Sequence, residues 1–336
     1  MICTGIAAGA FGGLLAYAIA HMDGLQGYSG WRWIFILEGL LTAVVAIGMK
    51  WWLVDWPEDA TFLTEEERTV LLARLRVDRA EEATMNRWDA KRCFGDGKIW
   101  IGYVRLSLSW TEPINHHMPT SPRTSVLMFF GVVNMNYSTN FFNPIILVEM
   151  GYTAVNAQVR LIPIYAVAAA VCLSFAWTSD RVKHRYGFIT FGVAVGSIGF
   201  VLLLCQSALP VGAKYFALFL LVSSGYIVQP LSVAWLMNNV GGHYKRAFAS
   251  AAQIGWGNAG GIVASNIFLD AEAPGFVTGY RVSLALLLMT GGMGTAMLVL
   301  LRRENRRRAR GERDYLLSGP QAHNLGDDAP SYRYVY

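Results

Sequence analysis

Residues 176–187 read AWTSDRVKHRYG, a knot of charge set between two long apolar stretches, residues 160–179 and 187–206. Charge this dense is tolerated beside hydrocarbon only where the chain has reached water, so the segment marks a short turn between two membrane-spanning helices. A span needs roughly 20 apolar residues to cross about 30 Å of hydrocarbon. Working outward in both directions, windows of that kind fall at 2–20, 32–54, 126–148, 160–179, 187–206, 213–236, 247–269 and 280–301. The expected fold is an all-α polytopic membrane protein with about eight spans.

Composition agrees. Of 336 residues 54% are hydrophobic and only 15% charged, a balance outside that of an ordinary soluble domain. The first window lacks a positively charged leader, so it reads as a span and not as a secretory signal. Cys3, Cys93, Cys172 and Cys205 have no paired spacing and read as inert thiols. Basic residues crowd alternate connections: Arg181, Lys183 and Arg185; Lys245 and Arg246; then Arg302, Arg303, Arg306, Arg307, Arg308, Arg310 and Arg313. The other connections hold chiefly Arg32, Arg160, Lys214 and Arg281. The positive-inside rule therefore puts both termini in the cytoplasm. The Arg-rich tail is read as contacting anionic lipid, with nucleic acid rejected as a partner.

Residues 1–54 hold two spans, 55–98 a mixed-charge cytoplasmic linker, 99–303 six further spans, and 304–336 a cytoplasmic tail. In the linker Thr64 and Glu67 have the spacing of a capping box, and Leu71, Leu72 and Leu75 give the helix that follows an apolar face. Transporter folds of two six-span halves carry a long cytoplasmic loop in the middle, so two spans before the linker and six after it read as a chain truncated at its N-terminus. Residues 103–126, YVRLSLSWTEPINHHMPTSPRTSV, hold Pro113, Pro119 and Pro122 and show no helical period. They read as a non-helical insertion, such as translated intron, interrupting the span that KIWIG and LMFFGVVNMNYSTNFF would otherwise form. Adjacent His116 and His117 without a third ligand make no metal site.

Polar groups inside spans are costly and mark candidate sites. The run NMNYSTNFFNP holds Asn134, Asn136, Tyr137, Ser138, Thr139, Asn140 and Asn143. Asn136, Asn140 and Asn143 fall at i, i+4 and i+7 and so share a helix face; with Tyr137 beside them they are read as lining a central cavity, and helix-to-helix hydrogen bonding is the alternative. Gln229, which precedes Pro230, and Gln253 and Asn258 are further cavity candidates, with Asn266 beyond them. Glu38, in IFILEGLLTAVV, is the candidate proton-coupling group, because hydrocarbon disfavours its charged form; a packing role is the alternative. Glycines at fourth-residue spacing, Gly5/Gly9/Gly13, Gly192/Gly196 and Gly257/Gly261, let helices approach closely, whether to slide or simply to pack. No P-loop, G-x-S-x-G, H-E-x-x-H or dinucleotide fingerprint is present, so no enzyme and no cofactor is expected.

The opening stretch resembles the G-x-x-x-D-R-x-G-R-R/K loop of major facilitator transporters. Asp180, Arg181 and Arg185 match it, while Ala176, Lys183 and His184 depart from it. GWRWIFILEG (30–39), WPEDATFLTEEER (56–68), GYTAVNAQ (151–158), NVGGHYKRAFASA (239–251) and QIGWGNAGGIVASNIF (253–268) resemble the fungal anion:cation symporter family, which includes allantoate, nicotinate and pantothenate permeases. The resemblance covers residues 1 to about 303 apart from the insertion. It implies a major facilitator-type helix bundle whose spans correspond to the fifth to twelfth of twelve. It further implies proton-coupled uptake of a small organic anion, a vitamin or nitrogen-source carboxylate, at the plasma membrane, the partners being that anion, a proton and the bilayer. Oligomeric state is left open, and the alternative is a truncated, non-transporting membrane fragment or a receptor-like membrane protein. Asp180, Arg181 and Arg185 would form a conformational switch, the carboxylate accepting hydrogen bonds that hold two helices together in one state; a purely topological signal is the alternative.

Overall fold

Every regular element among the described residues is helical. The structure, a computed structural model, describes residues 12, 15, 18, 19, 21–53, 60, 62–78, 121–240, 243–273, 275–318 and 329–336. The chain divides into two units, one within residues 11–82 and one that holds everything described from residue 121 onward.

In the first unit, α1 (Gly30–Trp52) begins after extended Ser29. Asp23 Oδ1 accepts a hydrogen bond from Gly30 N at 2.6 Å, satisfying one of the N–H groups that a helix start leaves orphaned. Phe35, Leu40, Leu41, Val44 and Ile47 are all exposed, and a helix apolar all round belongs in lipid. The short α2 (Glu65–Asp78) opens with the expected capping box. Thr64 N donates to Glu67 Oε2 at 3.0 Å, and Glu67 N donates to Thr64 Oγ1 at 3.3 Å. These bonds from the Thr64 backbone and hydroxyl hold the Glu67 carboxyl below its ordinary range. The rest of the linker, and the Gly5/Gly9/Gly13 stripe, lie outside the described residues.

The second unit runs α3 (Ser121–Glu149), α4 (Ala154–Val182), α5 (Arg185–Leu204), α6 (Val211–Asn238), α7 (His243–Gly257), α8 (Gly260–Asn266) and α9 (Val277–Ala309). Here α6 is the central element: it packs on α3, α4 and α5 and buries Leu218, Leu221, Val228, Leu231 and Trp235. Close approach of α5 is bought at Gly192 and Gly196, which sit against Val228 and Ser224. Among the described residues α1, α5, α6, α9 and residues Asn156–Val182 of α4 are long and apolar enough to cross a membrane. The asparagine-rich run dilutes the apolar content of α3, yet α3 is the most enclosed partner of α6 and α9, burying Met128, Val132, Val133, Met135 and Leu147.

Two boundaries differ from the sequence reading. Residues 121–126, expected as the end of a non-helical insertion, are the first turns of α3; Pro122 fits there because first-turn N–H groups have no intrahelical acceptor. The remainder, 103–120, lies outside the described residues. The single span expected at 247–269 is broken at Asn258–Ala259 into α7 and α8. Gly257, Gly260 and Gly261 press their backbones onto α3 at Phe129, Phe130 and Tyr137, and Asn258 Nδ2 takes the Ile254 carbonyl at 2.8 Å. Helix α9 runs on past the last apolar residues to Ala309, so the segment expected as a tail from residue 304 opens as helix.

Residues 329–336 return as a strap across the ends of α5, α6 and α9. Asn305 Oδ1 accepts from Tyr334 N and its Nδ2 donates to Tyr334 O, both at 2.9 Å. Asn239 treats Val335 the same way, at 2.8 and 3.0 Å, and Trp235 Nε1 donates to Val335 O. Arg185 N donates to Tyr336 O at 2.7 Å. Arg308, expected among the lipid-facing arginines, instead turns inward: it is 5% exposed and donates to Glu304, to the carbonyls of Ala329 and Tyr332, and to Tyr334 Oη. A planar fork with this many donors is worth more in a strap than in water.

Candidate functional site

Within α3, Asn136 is nearly buried and its Nδ2 donates to Gln229 Oε1 of α6 at 2.7 Å. The approach is close because Gly225 of α6 offers no Cβ where Asn136 Oδ1 rests. One turn further along α3, exposed Asn140 accepts a 2.7 Å hydrogen bond at Oδ1 from Tyr165 Oη of α4. The Tyr165 ring meets Tyr226 of α6 edge-on, centroids 6.4 Å apart, a favoured aromatic geometry. Pro230, next to Gln229, has no N–H to give the Tyr226 carbonyl, a local break in the helix ladder beside the cluster. Three helices thus converge five polar side chains, Asn136, Asn140, Tyr165, Tyr226 and Gln229. None is ionised at neutral pH. Residues 126–148, 161–179, 187–206 and 215–236 contain no Asp, Glu, Lys or Arg, so what the cluster offers is neutral hydrogen bonding in a low dielectric, where each bond is stronger than in water.

The other sequence candidates lie elsewhere. Asn143 is fully buried, with neither Oδ1 nor Nδ2 paired among the described residues, and does not join Asn136 and Asn140. Tyr137 stacks on Phe141 and packs on Gly261 of α8. Gln253 is fully buried and donates to Ser125 Oγ at 2.6 Å and Ser232 O at 3.4 Å, tying α7 to α3 and α6. Like the Asn136–Gln229 bond, this is a helix-to-helix contact. Asn258 serves the α7–α8 break, and Asn134 Nδ2 reaches Gly260 O across it at 3.3 Å. Glu38 sits exposed in mid-α1, its carboxylate unpaired among the described residues while its backbone carbonyl accepts from Thr42 Oγ1. Among the described residues no group of three His, Cys, Asp or Glu side chains is placed to hold a metal.

At the end of α4 the opening stretch folds as a tight reversal. Lys183 takes the left-handed conformation at φ 55° and His184 Nδ1 accepts from Gly187 N. Asp180 pairs with Arg185 across this reversal, and Arg185 also donates to Ser179 Oγ at 3.3 Å. Arg181 turns away and lies 4.3 Å over the Trp177 ring. Asp180 and Arg185 are thus brought together and Arg181 is not.

The family model described as Major Facilitator Superfamily matches residues 1–265. The chain belongs to that superfamily. Its relatives include an uncharacterized transporter of Schizosaccharomyces pombe, 31% identical over 301 residues, which are 88% of this chain and 55% of the relative. A high-affinity nicotinic acid transporter of Saccharomyces cerevisiae is 29% identical over 97% of this chain and 57% of its own length. The major facilitator-type transporter hxnP of Emericella nidulans is 30% identical over 98% of this chain and 63% of its own length. The chain therefore spans a little over half the length of the curated relatives it matches.

Superfamily membership and the apolar helices make this an integral membrane protein of helix-bundle type, related to transporters. The superfamily loop also explains Lys183: the position that carries glycine in the motif is the one that adopts positive φ. Tyr165 and Tyr226 were missed from the sequence because a tyrosine with apolar residues after it, as in IYAV and GYIV, reads as core. The signal was present in the hydroxyl, since a buried tyrosine usually finds a partner for its O–H.

Proposed function

We propose that this chain belongs to a secondary active transporter that takes up a small organic anion, a vitamin or nitrogen-source carboxylate, with a proton. The observation that carries the reading is the neutral amide and phenol cluster of Asn136, Asn140, Tyr165, Tyr226 and Gln229, built from three membrane-embedded helices. Polar side chains at this depth are expensive, and a substrate that exchanges hydrogen bonds with them offsets the cost. With Oε1 of Gln229 already accepting from Asn136, the amide N–H groups of Gln229 remain to donate, and donors suit the oxygens of a carboxylate. A relative named for nicotinic acid transport supports a substrate of this size and charge. Glu38 is the proposed proton carrier, as a mid-span carboxylate without a partner among the described residues. Asp180 and Arg185 are proposed to hold α4 to α5 as one conformation is exchanged for another.

Uptake of labelled nicotinate, pantothenate and allantoate by cells expressing the chain, alone and extended upstream to twelve spans, tests this. Accumulation that rises as external pH falls, and that Gln229→Leu abolishes, is expected. Glu38→Gln should retain binding and lose the pH dependence. Absence of flux for every carboxylate in both forms would overturn the proposal.

A further inference from the structure

Outside the amide cluster, α4, α5 and α6 enclose a groove of about 550 Å³, lined by Val171, Phe175, Phe191, Val195, Phe216 and Phe219 among others. Ser223 is the one polar side chain in the lining, and no residue of the amide cluster belongs to it. Phe191 and Phe216 are more than half exposed, so the groove opens outward, which for an integral membrane protein means toward lipid. A void there forfeits dispersion contacts along its walls, and the available filler is hydrocarbon. The lining on α6 runs from Phe216 to Ile227, about 16 Å of helix rise. That is close to half of a hydrocarbon core of about 30 Å, the depth of a single leaflet.

One end of the groove is not apolar. The Phe219 ring meets Tyr215 edge-on at 5.1 Å, and Tyr215 Oη donates to Arg160 O at 2.8 Å. The Arg160 guanidinium stands 4.0 Å from the Tyr152 ring and 5.9 Å from the Tyr215 ring. Arg160 is exposed, Lys214 adjoins Tyr215, and neither pairs with a carboxylate among the described residues. One cation on an aromatic shelf, with a second, Lys214, next to Tyr215 in sequence, at the end of an apolar slot one leaflet deep, matches an amphiphile with a phosphodiester head and a long chain. We propose that this is a glycerophospholipid site: the phosphodiester is held by Arg160 and Lys214 at the helix ends, and one acyl chain lies along Phe219 and Phe216 into the slot between α4 and α5.

The test uses the full chain in phosphatidylcholine vesicles doped with a phosphatidylcholine that carries a photoactivatable diazirine on its acyl chain, followed by peptide mapping. Peptides holding Val171, Val195 and Phe219 should be labelled about tenfold more than the α9 peptide holding Leu288, which is also exposed but lines no such slot. Val195→Trp, which fills the slot, should bring labelling down to the Leu288 level. Arg160→Gln combined with Lys214→Gln should reduce it by about tenfold or more, the loss of both charge-assisted contacts, and a photoactivatable diacylglycerol, which lacks the phosphodiester, should label the wild type as weakly. Uniform labelling of all exposed faces overturns the proposal, and needs no variant to fold. Labelling unchanged by Val195→Trp, or displaced by excess inorganic phosphate, also overturns it, the latter in favour of a free-anion site.

Discussion

Asn136 of α3 and Gln229 of α6 share a 2.7 Å hydrogen bond in which the asparagine donates and the glutamine accepts. Because Asn136 is nearly buried between the two helices, removing either partner leaves the other with an unmade bond. Interhelical hydrogen bonds of this kind couple by about 0.6 kcal/mol, and up to about 1.7. A double-mutant cycle of Asn136→Leu and Gln229→Leu, read by unfolding of the full chain in micelles, should return a coupling in that range. Uptake should fall far more than stability does. Equal losses in both would reduce the pair to a packing contact.

Gly225 gives an independent handle on the same bond. A Cβ there would fall on Asn136 Oδ1, so Gly225→Ala forces the asparagine to rotate or α3 to move, at a cost of about 1–3 kcal/mol. The expected result is a transport defect as large as that of Asn136→Leu, although alanine carries no polar group. Near-normal uptake by Gly225→Ala would show that the site does not need the bond.

The spans that build this site were legible because an apolar run of about 20 residues has few alternatives to a membrane helix, and Asn136, Asn140 and Gln229 stood out as polar exceptions within such runs. What could not be read arises between elements. The break at Asn258–Ala259 exists because Gly260 rests on the Phe130 carbonyl of α3, a contact more than a hundred residues away in sequence. Arg308 is indistinguishable in sequence from Arg306 or Arg307, and only the returning strap turns it inward. The i, i+4, i+7 pattern grouped Asn136, Asn140 and Asn143 on one face, but which of them meets a polar partner depends on the helices packed there: Asn136 and Asn140 do, and Asn143 does not among the described residues.

Lys183 holds φ 55° at the α4–α5 reversal, where a side chain costs roughly 1–2 kcal/mol that glycine does not incur. Glycine also gains freedom in the unfolded chain, which returns part of that difference. Lys183→Gly should therefore stabilise the chain by about 0.5–1 kcal/mol, seen as a higher melting temperature in detergent. A drop would mean that the lysine side chain holds a contact that outweighs the strain.

The strap carries its own pH dependence. Burial pushes the Glu304 carboxyl up, but hydrogen bonds and charge from Arg313 and Arg308 more than offset this and hold it below the usual carboxylate range. Arg313 bonds it at 2.8 and 3.1 Å and is itself shifted upward by that partner, so the arginine stays charged and the carboxylate is the group that titrates. A carboxyl depressed in the folded state adds stability above its ordinary value of about 4.3, and that stability is lost as pH falls through the depressed folded value. Release of residues 329–336 should accordingly appear only in acid below about pH 4 and be absent across the neutral range. Hydrogen exchange of Tyr334 and Val335, whose amides Asn305 and Asn239 protect, reports it directly. Glu304→Gln should expose those amides at neutral pH, since a neutral amide keeps the shape but not the charge that anchors Arg308 under Tyr334. Unchanged protection in Glu304→Gln would mean that the two asparagines hold the strap without help from the ion pairs.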